Sequence, residues 1–457
     1  MAVSQAPDLR PIRSLDDLLE PFHGACKTKD AWRIGTEAEK HAVFGDGSAV
    51  PFDGERGISE VLRQLAESSG WERHRERDDT PWIWLERGRA SVTLEPGAQL
   101  ELSGAPLKTI HEARAELDQH IAELRPIGEA LGITWLGLGF HPFAAREELP
   151  WVPKLRYPIM RDYLPTRGAL AVDMMLRTCT VQANLDYASE ADAMRKLRAS
   201  LRVQPIVTAM FANSPVVERR LTGERSRRAA VWLAVDPDRS GLLPFAWRED
   251  ARFLDYVEWA LDIPMFLVKR DGHIRRNTGQ TFRQFWKDPQ GVERATVEDW
   301  LTHINTLFPE VRLKKTLEMR GADMQGTELA AALPALWKGL MYDDGAVDAL
   351  DALGARWSFD EVETARPAIA RDGFRAKLGG HEVGEWASEI LSLAERGLRH
   401  LAAEDPSCLD AQGNDETIHL AALRALIEKG QTPADALLAE LDPTLPLVPQ
   451  VIEKTAL

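Results

Sequence analysis

Cysteine is scarce in this sequence, with only Cys26, Cys179 and Cys408 among 457 residues. The three are far apart and lack CxxC spacing, which argues against a structural zinc site and against a disulfide framework. Eleven histidines occur, but none forms an HxH or HExxH pair. The ligand sets of zinc and non-haem iron are therefore poorly supported. The chemistry of the chain has to be sought among its carboxylates, amides and arginines.

Long apolar runs are also missing. No stretch of eighteen apolar residues occurs, so we expect no membrane-spanning segment and no membrane partner. The N-terminal sequence MAVSQAPDLRPIRSLDDLLEPF has no apolar core and carries acidic residues early, which argues against a signal peptide. Together with the low cysteine usage, these absences predict a cytoplasmic protein.

Basic residues are in the minority. The 56 Lys and Arg residues face 71 Asp and Glu residues, which gives a net charge of −15. Such a balance argues against general nucleic-acid binding, because a phosphate backbone requires a basic surface. An anion can still bind where arginines gather or where a divalent cation supplies positive charge. The sequence has no GxxxxGK[ST] motif and no GxGxxG after a strand, so the common phosphate-binding loops are absent.

Hydrophobic periodicity predicts a mixture of strands and long helices. Strand patterns occur at 33–44, 82–85, 91–103, 134–140, 178–187 and 313–323, and helical patterns at 107–131, 189–214 and 251–261, with a first helix after Ser14 and a kink at Pro205. From about residue 325 the pattern is almost purely helical. We therefore predict an α+β fold, with a catalytic antiparallel-sheet core in 1–325 and a mostly helical part in 326–457 packed on it.

Glutamates recur on the polar faces of the predicted strands. In RIGTEAEKHAVF (33–44), Glu37 and Glu39 share one face, while apolar residues such as Ile34 point the other way. The same alternation places further polar residues on one face of their strands: Thr93, Glu95 and Glu101 in 91–103, Gln182 and Asn184 in 178–187, and Glu318 with Arg320 in 313–323. Pro96-Gly97 interrupts its run, which predicts a bulge that re-aims the second half.

A divalent-cation site is one interpretation of this pattern. Any one such strand also fits a half-exposed antiparallel sheet whose polar face meets water. The repeated use of Glu with hardly any Lys favours a site, because neighbouring carboxylates raise one another's pKa unless a cation lies between them. If the polar sides of the strands face a common space, Glu37, Glu39, Glu95, Glu101 and Glu318 would surround it. An all-oxygen ligand set suits Mg²⁺.

Several arginines could bind the anionic partner of such a cation. The candidates are Arg156, Arg161, Arg228 and Arg320. The planar guanidinium of arginine grips carboxylates and phosphates in two places, although most arginines in any chain are simply solvated. Carboxylates around Mg²⁺ with arginines nearby indicate phosphoryl transfer from a nucleotide.

A series of motifs resembles a known family. In chain order they are RIGTEAEK, LEPGAQLELSGAP, VDMMLRTCTVQANLDY, FANSP, LPF, ALDIPM, TFRQF, FPEVRLKKTLEMRGAD and ALPALW. They closely resemble glutamate–cysteine ligase of the plant and proteobacterial type, from about residue 14 to 345 and more weakly to the end. The resemblance implies a glutamine-synthetase-like fold, in which a curved antiparallel sheet forms a funnel with helices outside.

The resemblance also implies a reaction. Such an enzyme uses ATP and Mg²⁺ to phosphorylate the γ-carboxylate of L-glutamate. The amine of L-cysteine then attacks the γ-glutamyl phosphate and gives γ-glutamylcysteine, the first intermediate of glutathione synthesis. We therefore expect ATP, L-glutamate and L-cysteine as partners, no nucleic acid, and a monomer or homodimer.

The family's functional residues are carried over by position. Metal ligands would be Glu37, Glu39, Glu95, Glu101, Gln182, Asn184 and Glu318. Arg228 and Arg320 would stabilise the transferring phosphoryl group or grip the glutamate γ-carboxylate. Substrate-binding residues would be Arg156, Met175, Thr178, Thr180, Trp232 and Phe266. On this basis Glu37→Gln and Glu318→Gln should each remove most activity and leave folding largely intact.

Three departures from the family pattern matter. Relatives often read GTEHEK, whereas Ala38 replaces that histidine on the apolar face of its strand. Phe266 stands where the plant proteins have tyrosine, which removes a hydroxyl near the presumed cysteine pocket. The plant proteins carry regulatory disulfides, and Arg114, Ala331 and Asn277 occupy the matching positions here. We therefore expect no such redox switch.

Three other functions remain open from sequence. A related carboxylate–amine ligase with a different amine acceptor would share the fold and differ around Phe266 and Trp232. A Mg²⁺-dependent phosphohydrolase also needs clustered carboxylates, but Asp usually dominates those sites and an amino-acid pocket has no purpose there. A non-catalytic binding scaffold is disfavoured because clustered carboxylates without a cation cost stability.

Overall fold

Alternating apolar and polar residues organise most of the chain around one large sheet. The computed structural model describes residues 7–270 and 272–457. Its strands, in chain order, are β1 (Ile34–Phe44), β2 (Glu72–His74), β3 (Trp84–Arg87), β4 (Ala90–Leu94), β5 (Leu100–Ser103), β6 (Ile133–Leu136), β7 (Thr180–Leu185), β8 (Val216–Val217), β9 (Arg220–Leu221), β10 (Ser240–Gly241), β11 (Leu267–Arg270), β12 (His273–Arg276), β13 (Phe308–Pro309), β14 (Val311–Leu313), β15 (Leu317–Asp323), β16 (Lys377–Leu378) and β17 (His381–Glu382).

Nine of these strands form the main sheet, in the order β14-β15-β7-β1-β5-β4-β3-β2, with β6 paired to the C-terminal part of β1. Every neighbouring pair in this sheet is antiparallel. Within the described residues the outermost strands β14 and β2 do not pair with each other, so the sheet is open. The predicted α+β class, an antiparallel sheet flanked by helices, is confirmed.

Helices surround the sheet and make up most of the C-terminal part. They are α1 (Leu15–His23), α2 (Ile58–Ser69), α3 (Ile110–Leu131), α4 (Tyr157–Tyr163), α5 (Ala171–Arg177), α6 (Glu190–Met210), α7 (Arg227–Trp232), α8 (Phe253–Leu261), α9 (Phe282–Lys287), α10 (Val297–Ile304), α11 (Thr327–Met341), α12 (Asp344–Gly354), α13 (Phe359–Asp372), α14 (Val383–Glu404), α15 (Ala421–Glu428), α16 (Pro433–Glu440) and α17 (Leu447–Thr455). No helix of the described residues is both long enough and apolar enough to cross a membrane.

The segment 91–103 forms a hairpin and not one bulged strand. β4 and β5 pair with Thr93 opposite Glu101. The five-residue turn between them closes with a hydrogen bond from the backbone N–H of Glu95 to the carbonyl of Gln99 (2.9 Å). The prediction of a bulge at Pro96-Gly97 is wrong, because the chain reverses there and the two halves pair with each other.

The segment 313–323 is also split. β14 and β15 form a second hairpin, with Arg312 opposite Glu318. Its turn is closed by the backbone N–H of Lys314, which donates to the carbonyl of Thr316 (2.8 Å). The predicted strand therefore begins later, at Leu317, and the residues before Lys314 belong to its neighbour.

The apolar faces of the central strands and most of the C-terminal helices share the larger of two hydrophobic cores. Ile34 and Ala38 on β1 are 0% and 1% exposed, and Trp337 on α11 is 0% exposed within the same hydrophobic cluster. α11 packs against β7, α3 and α14. This packing fills one side of the sheet and leaves the polar side of β1, β5, β7 and β15 for the site. The domain division at residue 325 stays a prediction.

Candidate active site

Three glutamates meet on the polar side of the sheet. Glu39 lies on β1 and Glu101 directly opposite on β5, while Glu95 begins the β4–β5 turn. One carboxylate oxygen from each lies within 4.8 Å of the other two. We call Glu39, Glu95 and Glu101 the triglutamate cluster. Two adjacent strands and a tight turn thus bring together residues that are 62 positions apart along the chain (39 to 101).

Fixed hydrogen bonds orient two of these carboxylates. The carboxylate of Glu101 accepts from the hydroxyls of Thr93 (3.0 Å) and Ser103 (2.6 Å). The carboxylate of Glu39 accepts from the backbone N–H of Thr180 on β7 (2.8 Å). Such bonds hold the oxygen atoms in place before any ligand binds, which is what a preorganised cation site requires.

The electrostatics of the cluster favour a bound cation. Burial raises the pKa of Glu39 well above its ordinary value, and the neighbouring Glu95 and Glu101 raise it further. Arg228 opposes this rise. Carboxylates held this close repel one another unless they share a proton or a cation. The all-oxygen donor set, the mutual approach and the fixed orientation fit a hard divalent ion such as Mg²⁺.

The β4–β5 turn contacts the C-terminal end of α5. Gln99 is 2% exposed, and its side-chain amide donates to the carbonyls of Met175 (3.2 Å) and Thr178 (3.0 Å). Its carbonyl oxygen accepts from the backbone N–H of Gly97 (2.8 Å). A Cβ atom at Gly97 would lie 2.3 Å from the carbonyl oxygen of Leu176. Only glycine allows the turn to approach this backbone so closely.

We predict that Gly97→Ala weakens cation binding by about tenfold without unfolding the protein. The added methyl group pushes the turn away from Leu176, and Glu95 moves with the turn, so one of three ligands is displaced. Titration calorimetry with Mg²⁺ measures the affinity. The matched control is Gly45→Ala, because a Cβ at Gly45 meets no atom within 4 Å and the backbone φ of Gly45 is not positive. Equal affinities for the two variants would contradict this account of the turn.

A second group of predicted ligands lies on β1, β7 and β15. Glu37 on β1 stands opposite Gln182 on β7, and Asn184 on β7 stands opposite Glu318 on β15. The side-chain amide of Asn184 donates to Glu37 (3.0 Å). Burial raises the pKa of Glu37, and Glu318 and Glu101 add to the rise. Glu37 therefore lies within electrostatic reach of both the triglutamate cluster and Glu318.

Glu318 differs from the other glutamates because cations surround it. Its carboxylate receives two hydrogen bonds from Arg312 (2.5 and 2.9 Å) and lies 3.1 Å from the ammonium of Lys314 and 3.2 Å from Arg320. Burial opposes ionisation of Glu318, but the three cations outweigh it and hold its pKa well below the ordinary value. We call Arg312, Lys314 and Arg320 the basic cluster.

The two predicted catalytic arginines lie side by side. The guanidinium of Arg228 donates to the backbone carbonyl of Arg320 (2.7 Å). The guanidinium of Arg320 donates to the side-chain carbonyl of Gln182 (2.9 Å). Both arginines lie near the ring of Trp232, at 5.8 and 6.0 Å from its centroid, and together with Phe308 they line a narrow cavity. The structure thus brings Arg228, Arg320, Gln182 and Trp232 to one place.

Three of the predicted substrate-binding residues, Thr178, Thr180 and Met175, are buried next to the site. Thr180 donates its hydroxyl to the carbonyl of Ala322 (2.6 Å), and Thr178 donates its own to the carbonyl of Met174 (2.6 Å). Met175 is 2% exposed. Their side chains are buried in the structure, and Thr180 meets the triglutamate cluster through its backbone N–H.

The remaining predicted residues lie at the periphery. Arg156 is half-buried, 5.1 Å from the ring centroid of Tyr157, and Glu95 acts on it electrostatically. Arg161 lies over Trp151 instead. Phe266 is 1% exposed, with the guanidinium of Arg239 at 4.0 Å from its ring centroid. Among the described contacts, none links Phe266 to the triglutamate cluster.

The sequence analysis assigned no role to four residues that contact the site glutamates, which are Arg312, Lys314, Thr93 and Ser103. Thr93 and Ser103 share the polar face of their strands with Glu95 and Glu101, so the period-two pattern placed them on this face without giving them a role. Arg312 lies on β14, just before the turn of the second hairpin, and Lys314 is the first residue of that turn. Placing them beside Glu318 requires knowledge of that turn, which has no glycine or proline to mark it.

The fold is that of a ligase of known structure. The crystal structure of glutamate–cysteine ligase from Francisella tularensis in complex with AMP superimposes with a TM-score of 0.57, covering 93% of this chain and 87% of that one. Sequence identity over the superposition is 14%, so the likeness concerns the fold alone. The two proteins thus share an α+β fold, in which helices flank an antiparallel sheet.

The sequence comparisons identify the family. Residues 33–452 match the family described as glutamate–cysteine ligase family 2. The chain is 42% identical to the chloroplastic glutamate–cysteine ligase of Medicago truncatula over 425 residues, which is 92% of this chain and 81% of that protein. It is also 42% identical to the Arabidopsis thaliana enzyme over 426 residues, or 93% and 79% of the two chains. This chain belongs to glutamate–cysteine ligase family 2.

The prediction of a cytoplasmic location is wrong by the same comparison. The plant relatives, including those of Brassica juncea and Oryza sativa, are named chloroplastic. The prediction relied on few cysteines and no long apolar run. Those absences fit more than one reducing compartment, so they could not decide between them.

Proposed function

We propose that this chain joins the γ-carboxylate of L-glutamate to the amine of L-cysteine in an ATP- and Mg²⁺-dependent reaction that gives γ-glutamylcysteine. Family membership supports the reaction, since the relatives that match 92–93% of the chain are named glutamate–cysteine ligases. The single observation in the structure that carries the proposal is the triglutamate cluster, with the basic cluster close by on the same sheet.

Glu39, Glu95 and Glu101 would hold Mg²⁺, with Glu37 at the border of the site. When bound, the ion offsets negative charge between nucleotide phosphates and an approaching carboxylate. The protein contributes the fixed hydrogen bonds of Thr93, Ser103 and the Thr180 backbone, which keep the ligand oxygens in place. Little rearrangement is then needed at the moment of reaction.

The basic cluster and Arg228 would bind the transferring phosphoryl group. A carboxylate is a poor electrophile, so its phosphorylation supplies the leaving group that amide formation needs. Negative charge on the phosphoryl oxygens is best stabilised by planar guanidinium groups with fixed positions. Arg320 is held by Gln182 and Glu318, and Arg228 by the carbonyl of Arg320. These contacts orient the guanidinium groups of Arg320 and Arg228 before the substrate binds.

Arg156 would pair with the α-carboxylate of glutamate. The burial of the residues that line the site would keep water out of it. Thr178 and Met175 are 7% and 2% exposed. An anhydride between glutamate and phosphate is hydrolysed if water reaches it, so a dry wall favours transfer to the cysteine amine. The acceptor pocket would lie near Trp232 and Phe266.

The test is an isotope experiment with the purified protein. L-Glutamate labelled with ¹⁸O in the γ-carboxylate is incubated with ATP, Mg²⁺ and L-cysteine, and the products are analysed by mass spectrometry. We expect γ-glutamylcysteine in equal amount with phosphate, and one ¹⁸O atom in each phosphate, because the carboxylate oxygen attacks the γ-phosphorus.

The same experiment separates the alternatives. Phosphate release without either amino acid indicates a hydrolase. Product with another amine, such as L-alanine or glycine, but not with cysteine indicates a related ligase with a different acceptor. Phosphate free of ¹⁸O would contradict the γ-glutamyl phosphate route.

A further inference from the structure

A buried carboxylate lies behind the helix that carries Arg228. Asp323 ends β15 and is 0% exposed. Its Oδ2 atom accepts hydrogen bonds from the backbone N–H of Asn213 (2.8 Å) and from the hydroxyl of Ser214 (2.6 Å). Its Oδ1 atom accepts from the hydroxyl of Ser226 (2.8 Å). An ionised carboxylate only accepts, so both hydroxyl groups direct their single proton towards Asp323.

The same hydroxyls accept hydrogen bonds from the first turn of α7. The oxygen of Ser214 accepts from the backbone N–H of Arg228 (3.1 Å), and the oxygen of Ser226 accepts from that of Ala229 (2.9 Å). Because their protons are used by Asp323, their lone pairs face the helix. Asp323 thus sets the direction of both hydroxyls, and the hydroxyls hold the start of α7.

Arg228 is therefore fixed by β15 at two points. Its guanidinium donates to the carbonyl of Arg320 in the middle of that strand (2.7 Å). Its backbone is held through Ser214 by Asp323 at the end of the strand. Arg320 lies within the irregular stretch of the β15–β7 pairing between Met319 and Ala322, whereas Asp323 pairs with Thr180 beyond that stretch, so the two anchors lie in different parts of the strand. Strand and helix together define where the guanidinium lies.

We propose that Asp323 is a positioning residue, which acts through Ser214 and Ser226 to hold α7 so that Arg228 reaches the reacting phosphoryl group. The inference rests on the role of Arg228 in the proposed function. The carboxylate of Asp323 is not part of the triglutamate cluster. The side chain of Asp323 fits because residue 139 is a glycine, since a Cβ atom at Gly139 would lie 2.3 Å from the Asp323 carboxyl carbon.

The first measurement follows structure and not activity. In Asp323→Asn the amide nitrogen only donates, so one of the three accepted hydrogen bonds is replaced by two donors that face each other. We expect the backbone amides of Arg228 and Ala229 to exchange with deuterium at least about tenfold faster than in the wild type. Mass spectrometry of a peptide that spans 226–232 reports the change.

The second measurement is a double-mutant cycle with Arg228→Lys. If Asp323 acts through Arg228, Asp323→Asn lowers kcat/KM at least about tenfold when residue 228 is arginine, because a displaced catalytic group loses most of its effect. With lysine at 228 the same change costs less than about twofold. If Asp323 had a purely structural role, Asp323→Asn would lower kcat/KM by the same factor with arginine and with lysine at position 228.

Asp186→Asn is the matched control. Asp186 is also a buried carboxylate at the end of a strand of the same sheet, and it accepts from the backbone N–H of Arg33 and the ammonium of Lys27. Its substitution should act equally with arginine or lysine at 228 and leave exchange in 226–232 unchanged.

Ser226→Ala keeps the proposal testable if Asp323→Asn fails to fold. It removes one of the two hydroxyls, and the same faster exchange and the same dependence on Arg228 are expected. Unchanged exchange, or equal activity losses in both backgrounds, would overturn the positioning role. If the wild type ligates nothing, the proposed function fails, while the exchange measurement still decides how Asp323 acts on α7.

Discussion

Glu39→Gln is expected to lower kcat/KM by about a thousandfold and to abolish Mg²⁺ binding at the triglutamate cluster. A bound divalent ion contributes several kcal/mol to charge stabilisation in phosphoryl transfer, and each 1.4 kcal/mol is about tenfold in rate. Glutamine keeps the shape of Glu39 and can still accept the hydrogen bond from the Thr180 backbone. The loss is then one of charge at the metal and not of packing.

The same substitution should stabilise the metal-free protein. The pKa of Glu39 is raised above its ordinary value of 4.5, first by burial and then by Glu95 and Glu101. A group with a raised pKa in the folded state binds its proton more tightly when folded, so its contribution to stability falls as pH rises through that raised pKa. Glutamine carries no such charge. The melting temperature of Glu39→Gln without Mg²⁺ should exceed that of the wild type at neutral pH, and the difference should shrink in acid.

Glu72→Gln is the control for Glu39→Gln. Glu72 lies exposed on β2, at the edge of the same sheet, and its substitution should change neither melting temperature nor activity appreciably. Differential scanning calorimetry from pH 4 to 8, with and without Mg²⁺, makes the comparison. An activity of Glu39→Gln within about tenfold of the wild type, or a lower melting temperature without metal, would contradict the assignment.

Glu318→Gln should have the opposite effect on stability. It leaves the buried guanidinium of Arg312 and its neighbours Lys314 and Arg320 without their anion. Removing one partner of a buried ion pair costs about 3–5 kcal/mol. We therefore expect the free energy of unfolding to fall by about 3 kcal/mol, together with most of the activity. The expectation from sequence, that folding would stay largely intact, did not include these three cations.

The pH dependence of the stability difference between Glu318→Gln and the wild type tests whether ionised Glu318 stabilises the fold. The pKa of Glu318 is held well below 4.5, because the three cations outweigh burial. Such a group contributes stability that is present above its ordinary pKa and is lost as pH falls through the lowered one. The advantage of the wild type over Glu318→Gln should therefore be smaller at pH 3 than at pH 7, and it should disappear only in strong acid. Urea unfolding at pH 7 and pH 3 measures it.

Glu37→Gln is the matched control for Glu318→Gln, because Glu37 lies on the adjoining part of the same polar face. Because burial, Glu318 and Glu101 raise the pKa of Glu37, its substitution should not destabilise the metal-free protein. Equal stability losses in Glu37→Gln and Glu318→Gln would show that the basic cluster does not hold Glu318 as the structure indicates.

Period-two patterning was enough to predict the polar face of the sheet. The pattern of 33–44 placed Glu37 and Glu39 on one side, and the continuous pairing of β1 with β5 and β7 agrees with this. Burial of one face fixes such a register, because a shift by one residue would turn every apolar side chain outward. The α+β class followed from the same patterns.

The two hairpins could not be predicted in this way. Pro96-Gly97 marks an interruption, but a bulge and a five-residue turn use the same residues. The turn at Lys314–Thr316 contains neither glycine nor proline, so it left no local signal. Both turns decide the electrostatics of the site, since one brings Glu95 to Glu39 and Glu101, and the other brings Arg312 to Glu318. Long-range pairing, which a single strand pattern does not contain, supplies this information.

The most direct test of the central claim is to locate the cation. A crystal of the protein soaked with Mn²⁺, as a stand-in for Mg²⁺, gives an anomalous signal that places the ion independently of the protein atoms. We predict a peak between Glu39, Glu95 and Glu101, with metal–oxygen distances of about 2.1 Å, and no peak there in Glu39→Gln. A well-occupied peak elsewhere, with these three carboxylates empty, would contradict the account.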